Sequence, residues 1–435
     1  MNFLLDVFAT IPDTLAAFIL FANKTSSFWA PILLALIALT TFVHYRRALF
    51  VSKLSRIVLE IKIPKEVFKS PAAMEIILNG VFWQTGGGHD AHWYDKYYTG
   101  KVRSWFSLEL VSIEGKVHFL IWTEKKFKPL IEAQFYAQYP EVEIREVPDY
   151  VQNVPYGAEG SNWELFGTEF KMGSKLGDPL PIKTYIDLGL HKDPKEEYKM
   201  DPMTPLIELL GALGKNEQMW FQILIMGTKG PYKSELGLLK TQTRDWRKET
   251  QELLAKMRNE FKEQNAGKGA DATTKAFAMT TDEQKRIIEN IERIMRKNGF
   301  ETVVRLLYLA KKENFRGTLI GGVLGSLKQF ASEGLNGFAP TSFTAVDYWF
   351  QDIKWLRHIP FLKDTLGKNM PGLKTEIFNN YIRRRMVYSN GASEPFILTT
   401  EELATLWHIP GQVAERPTFE RIQSKRSEPP ANLPL

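Results

Sequence analysis

The sequence predicts an α+β protein, an N-terminal transmembrane helix followed by two ferredoxin-like β-α-β-β-α-β units in tandem, the second carrying a helical hairpin insertion. Three observations predict it. Near the amino terminus lies an apolar run of bilayer length. Beyond it, strand and helix periodicities succeed one another in the same order twice. Within the second succession, two helical patterns stand where a tight turn would otherwise join the middle strands.

The apolar run is Phe28–Tyr45, FWAPILLALIALTTFVHY, in which His44 is the only ionisable side chain apart from the Tyr45 phenol. Eighteen residues at a rise of ~1.5 Å each reach about 27 Å, enough to cross a hydrocarbon core. Ser26 and Ser27 can cap its start, Pro31 then falls in the first turn, and Trp29 and Tyr45 sit where aromatic belts occur. Residues 1–27 hold one Lys or Arg, whereas residues 46–56 hold four: Arg46, Arg47, Lys53 and Arg56. The positive-inside rule therefore places the bulk of the chain in the cytoplasm, under an inner (plasma) membrane, with these four side chains on the membrane surface. Residues 3–22 fit an interfacial helix, a re-entrant segment or a poor first span.

In the first unit, 57–150, a strand at Ile57–Ile63 precedes a helix capped by Ser70 with Pro71 at its first position. Trp105–Ile113 and Lys116–Thr123 form a hairpin turning at Glu114-Gly115, with Phe106, Leu108 and Leu110 on one face. A helix marked by Phe127, Leu130, Ile131 and Phe135 and a strand Val142–Val147 complete it. The second unit, 160–340, reads as strand Ile182–Leu188, a helix capped by Asp201, strand Trp220–Met226, the insertion at about 230–299, strand Phe300–Ala310 and helix Phe315–Phe330. The insertion has a charged helix near 244–264 and one opened by the capping box Thr281/Gln284, with an apolar stripe from Ile287 to Met295. Its charges read as a solvated face or a coiled-coil contact. Residues 341–411 form a C-terminal segment and 412–435 a Pro-rich linker.

The chain of 435 residues is 44% hydrophobic, which supplies ample core and excludes wholesale disorder. It has no cysteine, so thiolate metal sites, disulfides and cysteine nucleophiles are excluded. A net charge of +6 permits an anionic partner without requiring one. His89, Asp90 and His92, behind three glycines, carry ligand types that a divalent metal accepts, but no further ligand stands at a recognisable spacing, and a flexible loop is the simpler reading. Gly317, Gly321, Gly322 and Gly325 fall in an apolar helical pattern and suit close helix packing. No G-x-x-x-x-G-K-[ST] occurs. Arg383-Arg384-Arg385 reads as a solvated helix end, with phosphate or acidic lipid as the alternative.

Several segments carry a family likeness: EIKIP (60–64), WFSLELVSIEGKVHFLIWT (105–123), LKQFASEGLNGFAP (327–340), PFILTTEELATLWHIPG (395–411) and EPPANLP (428–434). In this order they resemble the membrane-associated N-terminal region of bacterial type IV secretion and conjugation coupling ATPases of the HerA/FtsK-like kind. In that family the 395–411-like stretch leads into a motor domain that binds nucleotide; no residue here matches the motor's motifs. The resemblance implies a membrane-anchored docking module of a DNA or protein translocation machine, homo-oligomeric, with no cofactor and no catalysis of its own. Its partners would be the lipid bilayer and the ATPase, with nucleic acid met only through the motor. Glu401, Glu402, Trp407 and His408 are the expected docking surface, against the alternative that Leu403, Leu406 and Trp407 merely pack a terminal helix. Two other readings stand beside it: a metal-dependent membrane enzyme using His89, Asp90 and His92, and a purely structural oligomeric scaffold.

Overall fold

The computed structural model describes residues 2–63, 69–86, 94–157, 160–191, 201–228, 232–235, 241–266, 281–341, 344, 370–386 and 395–410. They fall into two units. The smaller joins Met1–Leu54 to His89–Val102, and the larger comprises Ser55–Gly88 and Arg103–Leu435.

The smaller unit is built on helix α1, Asn2–Ser52. Its stretch Lys24–Ser52 is long and apolar enough to cross a membrane. Phe28, Ile32, Leu33, Leu34, Ile37 and Leu39 are all exposed along it, the reverse of a buried core helix. The expected start at Ser26-Ser27 is corrected, because residues 2–27 continue the same helix and Pro31 lies in its interior. The proline removes one backbone hydrogen bond without ending the helix.

The larger unit holds one antiparallel sheet of nine strands, in the order β10-β5-β9-β6-β2-β3-β1-β4, with β11 also pairing with β9. In its first half β1 (Arg56–Lys62) leads to α2 (Ala72–Ile77), whose last turns widen into a π-helix over Leu78–Trp83. Strands β2 (Phe106–Ile113) and β3 (Lys116–Glu124), helix α3 (Lys128–Gln138) and β4 (Glu143–Val147) follow. The β2–β3 turn is two residues, with positive φ at both Glu114 (52°) and Gly115 (84°), the backbone that matches the twist of a hairpin. In the second half come β5 (Trp163–Met172), α4 (Thr204–Gly211) and β6 (Glu217–Thr228). Next come the short hairpin β7 (Tyr232–Glu235) and β8 (Thr241–Arg244) and the helices α5 (Trp246–Ala266) and α6 (Asp282–Met295). Then follow β9 (Gly299–Lys311), α7 (Gly317–Leu327) and β10 (Phe338–Thr341). Helix α8 (Met370–Ile382), β11 (Phe396–Thr399) and α9 (Thr400–Leu406) complete the described chain.

Counted within each half, the strands stand in the same order, fourth-first-third-second, and the halves join where β2 pairs with β6 from Phe106↔Ile225 to Ile113↔Gln218. The expected separate domains 57–150 and 160–340 thus share one sheet. The first strand of the second half is β5, and the expected strand Ile182–Leu188 is irregular over 182–184 and turn over 185–188. Its alternation is deceptive, since the Thr184 N–H and hydroxyl both donate to Asp187 Oδ2 and close a local turn that competes with a ladder.

Alternating side chains give the sheet two buried faces. Phe106, Leu108 and Leu110 of β2, with Phe221 and Ile223 of β6, pack on one face under α2, α3, α4, α7 and α9. Val111, Leu120, Trp220 and Leu307 pack on the other against Leu373, Ile377, Phe378 and Tyr381, all from α8. Gly167 of β5 permits that close seat, because a Cβ there would lie 2.8 Å from both Ile377 and Leu307. The insertion is a helical hairpin, with Leu254 of α5 against Ile291 of α6 and the capping box at Thr281 formed. Gly322 meets Leu209 closely, as helix packing predicts, whereas Gly317, Gly321 and Gly325 face open space.

Candidate functional site

The expected docking surface at 401–408 is corrected by burial: Glu401, Glu402, Trp407 and His408 are all 2% exposed or less. The Trp407 ring packs 5.7 Å from that of Phe119, and its indole N–H donates to the Glu109 carbonyl oxygen. The His408 ring nitrogens face two acceptors, Ala404 O at 2.9 Å and Asp201 Oδ2 at 3.0 Å, which suits a doubly protonated imidazolium. Burial pulls the His408 pKa down, but Asp201 more than offsets it and the net shift is upward. These side chains bolt residues 395–410 into the core, and none of them is available to a partner.

Around them lies a polar cluster that ties four parts of the larger unit together. Glu401 Oε1 accepts from the Thr184 hydroxyl at 2.7 Å and from Arg293 Nε at 3.1 Å, so α9 meets both the 182–188 turns and the helical hairpin. Arg293 also donates to Asp187. Glu75 of α2 accepts from Lys297 Nζ at 2.6 Å, the Tyr185 hydroxyl at 2.8 Å and the Thr400 hydroxyl at 3.2 Å. Burial raises the Glu401 carboxyl above the usual range despite Thr184, Arg293 and Lys297. Glu402 accepts from Ile182 N at 3.0 Å and from the Thr399 N–H and hydroxyl at 2.8 Å, all uncharged donors, and burial pushes its carboxyl up to about 7.

On the opposite face of the sheet a second cluster is made of full ion pairs. Arg384 is left-handed at φ 47° and turned inward from the end of α8. It donates to Glu109 through Nε at 2.8 Å and to both Asp149 oxygens at 2.7 and 2.9 Å. Burial would lower its pKa, but Glu109 and Asp149 hold it well above the ordinary value. Glu109 also accepts from Ser107, Gln222 and Tyr150, and Arg305 pairs with Glu169 at 2.6 Å. Arg384 is therefore no solvated helix end: the reading of Arg383-Arg384-Arg385 as a surface cluster fails at its middle residue, which is about 1% exposed.

Of the four residues expected on the membrane surface, Arg46, Arg47 and Lys53 belong to the smaller unit. Arg46 Nε donates to the Tyr98 carbonyl at 2.6 Å. Arg56 belongs to the larger unit, its guanidinium 3.9 Å from the Trp105 ring centre and 4.2 Å from that of Trp122. Both its Nη atoms are enclosed without a hydrogen-bond partner, and burial pulls its pKa down to about 10, so it is a packed cation and not a lipid contact. His89, Asp90 and His92 lie outside the described residues. Among the described residues no group of three or more His, Asp or Glu could hold a metal ion.

Sequence reasoning missed Glu75, Glu109, Asp149, Glu169, Arg293 and Arg305, whose partners stand up to several hundred positions away. One signal was legible: Glu109 sits among apolar neighbours in a strand whose alternate positions are core on both faces. In comparisons with known proteins, the chain matches no family model and no curated protein.

Proposed function

We propose that the chain is a membrane-anchored accessory module that docks a type IV secretion-like translocation ATPase and catalyses nothing itself. The observation that carries this reading is the presence in one chain of an apolar, exposed helix of membrane length and an α+β body. Among its described residues, the buried Glu109, Glu401, Glu402 and Arg384 are occupied in holding its elements together. In this reading the body is a tandem of two ferredoxin-like units, since each half repeats the fourth-first-third-second order of a β-α-β-β-α-β fold. In this reading the body lies on the cytoplasmic side of the inner membrane, which the positive flank of α1 favours. The module's contribution is positional: it raises the local concentration of a motor at the membrane.

Burial of residues 401–408 moves the docking role to other residues, and the Pro-rich 412–435 segment is assigned it. The test is co-purification of a separately expressed HerA/FtsK-like motor with the full chain and with a chain ending at residue 411. Recovery with the full chain only supports the reading. Equal recovery with both, or ATP turnover by the purified full chain alone, defeats it.

A further inference from the structure

We infer that residues 94–101 form a second membrane contact, a tyrosine-rich turn held at the polar end of α1 so that its rings and nearby cations meet lipid headgroups. The inference rests on the membrane reading above and adds to it a segment to which sequence patterning assigned no role. The turn is a single widened helical turn, Asp95–Thr99, ended by Gly100 in the left-handed conformation at φ 74°. Lys101 N closes it by donating to Asp95 O at 2.9 Å.

Gly100 fixes where it docks. A Cβ at that position would stand 2.4 Å from the Arg46 carbonyl carbon and 2.5 Å from its oxygen, so only glycine lets the two backbones touch. From the α1 side, Arg46 donates to the Tyr98 carbonyl, its guanidinium lies 5.3 Å from the Tyr98 ring centre, and Phe42 approaches the same ring at 6.4 Å. Residues 42–47 are the level at which the apolar run ends and Arg46-Arg47 begins, which in a spanning helix is the boundary between hydrocarbon and headgroups.

The ring placement suits that boundary and no interior. Tyr94 and Tyr98 stack at 4.9 Å, and Tyr94, Tyr97 and Tyr98 are 46%, 48% and 51% exposed. Tyr45 on α1 is 60% exposed. Three half-exposed tyrosines on one short turn present apolar rings with polar tips, the amphipathic form that partitions to a bilayer interface. Arg46, Arg47, Lys53 and Lys101 lie on the same unit and complement acidic headgroups.

Because the chain has no cysteine, single-cysteine labelling reads this directly. Full-length Tyr97→Cys, Leu36→Cys and Glu333→Cys proteins, each carrying an environment-sensitive fluorophore, are reconstituted into phosphatidylcholine/phosphatidylglycerol vesicles holding lipids spin-labelled at the headgroup or deep in the chain. The expected result is several-fold stronger headgroup quenching at 97 than at 333, with deep quenching confined to 36. Quenching at 97 equal to that at 333, with 36 still deep, overturns the inference and leaves the span intact. No deep quenching at 36 overturns the membrane reading and this inference together. Adding Gly100→Ala to the Tyr97→Cys protein separates docking from chance proximity, because a displaced turn loses the shallow quenching while Leu36 in its own protein keeps the deep one. Unchanged quenching at 97 in that variant also counts against the inference.

Discussion

The two faces of the sheet bury their charges by opposite means. Under α8, the carboxylates of Glu109, Asp149 and Glu169 meet guanidiniums that are themselves enclosed, Arg384 and Arg305. Under α9, Glu401 meets Arg293 and Lys297 at the margin of the core, where those side chains keep 28% and 30% exposure, and Glu402 meets uncharged donors alone. In the first arrangement each carboxylate has an enclosed cation beside it. In the second, burial raises the Glu401 and Glu402 carboxyls, so the fastening of residues 395–410 varies with pH, whereas α8 is fastened by enclosed ion pairs.

The largest expected effect comes from breaking the ion-paired side. Arg384→Met leaves Glu109 and Asp149 without their cation and is expected to cost about 3–5 kcal/mol, read as a lower urea midpoint at unchanged slope. Arg384→Lys keeps the charge but loses the bidentate fit to Asp149, so it recovers only part of the loss.

Next comes the titrating side. The folded-state pKa of Glu402 is raised to about 7 from 4.5, so the stability linked to its proton is whole below the unfolded value and is lost as pH climbs through about 7. Glu401, also raised, adds to the same trend. The His408–Asp201 pair contributes in both directions: the raised histidine weakens the fold as pH rises, and the lowered aspartate weakens it as pH falls. Glu402→Gln removes one titration; its stability relative to the parent is expected to improve by on the order of 2 kcal/mol between pH of about 5 and 8. Denaturation series across that interval check it, and a gap that stays constant with pH refutes the assignment of the loss to Glu402.

The smallest effect separates two capping boxes of the same chemistry. Thr399→Ala strips a buried donor from Glu402 and is expected to cost about 2 kcal/mol, whereas Thr281→Ala, exposed at the start of α6, should cost about 0.5–1 kcal/mol. Hydrogen exchange resolves them: the Thr281 change speeds exchange in the helical hairpin alone, and the Thr399 change speeds it in α9 and β11 as well.

Much of the first half was legible because local rules agree there. Ser70 and Pro71 mark the start of α2, a two-residue turn joins β2 to β3, and Phe106, Leu108 and Leu110 do share a core face. The Thr281/Gln284 box likewise marked α6 to the residue. Strand β5 was hidden because Gly167 interrupts its alternation and Glu169 points inward to Arg305, a partner 136 positions later. The 182–188 run alternates like a strand yet turns, its Thr184 donors spent on Asp187. Residues 401–408 and Arg384 misled for one reason: charged or polar letters suggest solvent, and the counter-charges that bring them inside come from distant parts of the chain.

The joint between Thr400 and Glu75 spans 325 positions. A ribosome adding about 5–20 residues per second needs roughly 15–65 s to make the later partner after the earlier one. Throughout that interval α2 stands without its final cover, and from the time β9 is made so does the part of it that β11 will pair with. The nascent polypeptide therefore completes this centre only once residue 400 has been made, and a message stalled before that point would release a product whose apolar seam calls for a chaperone or a protease.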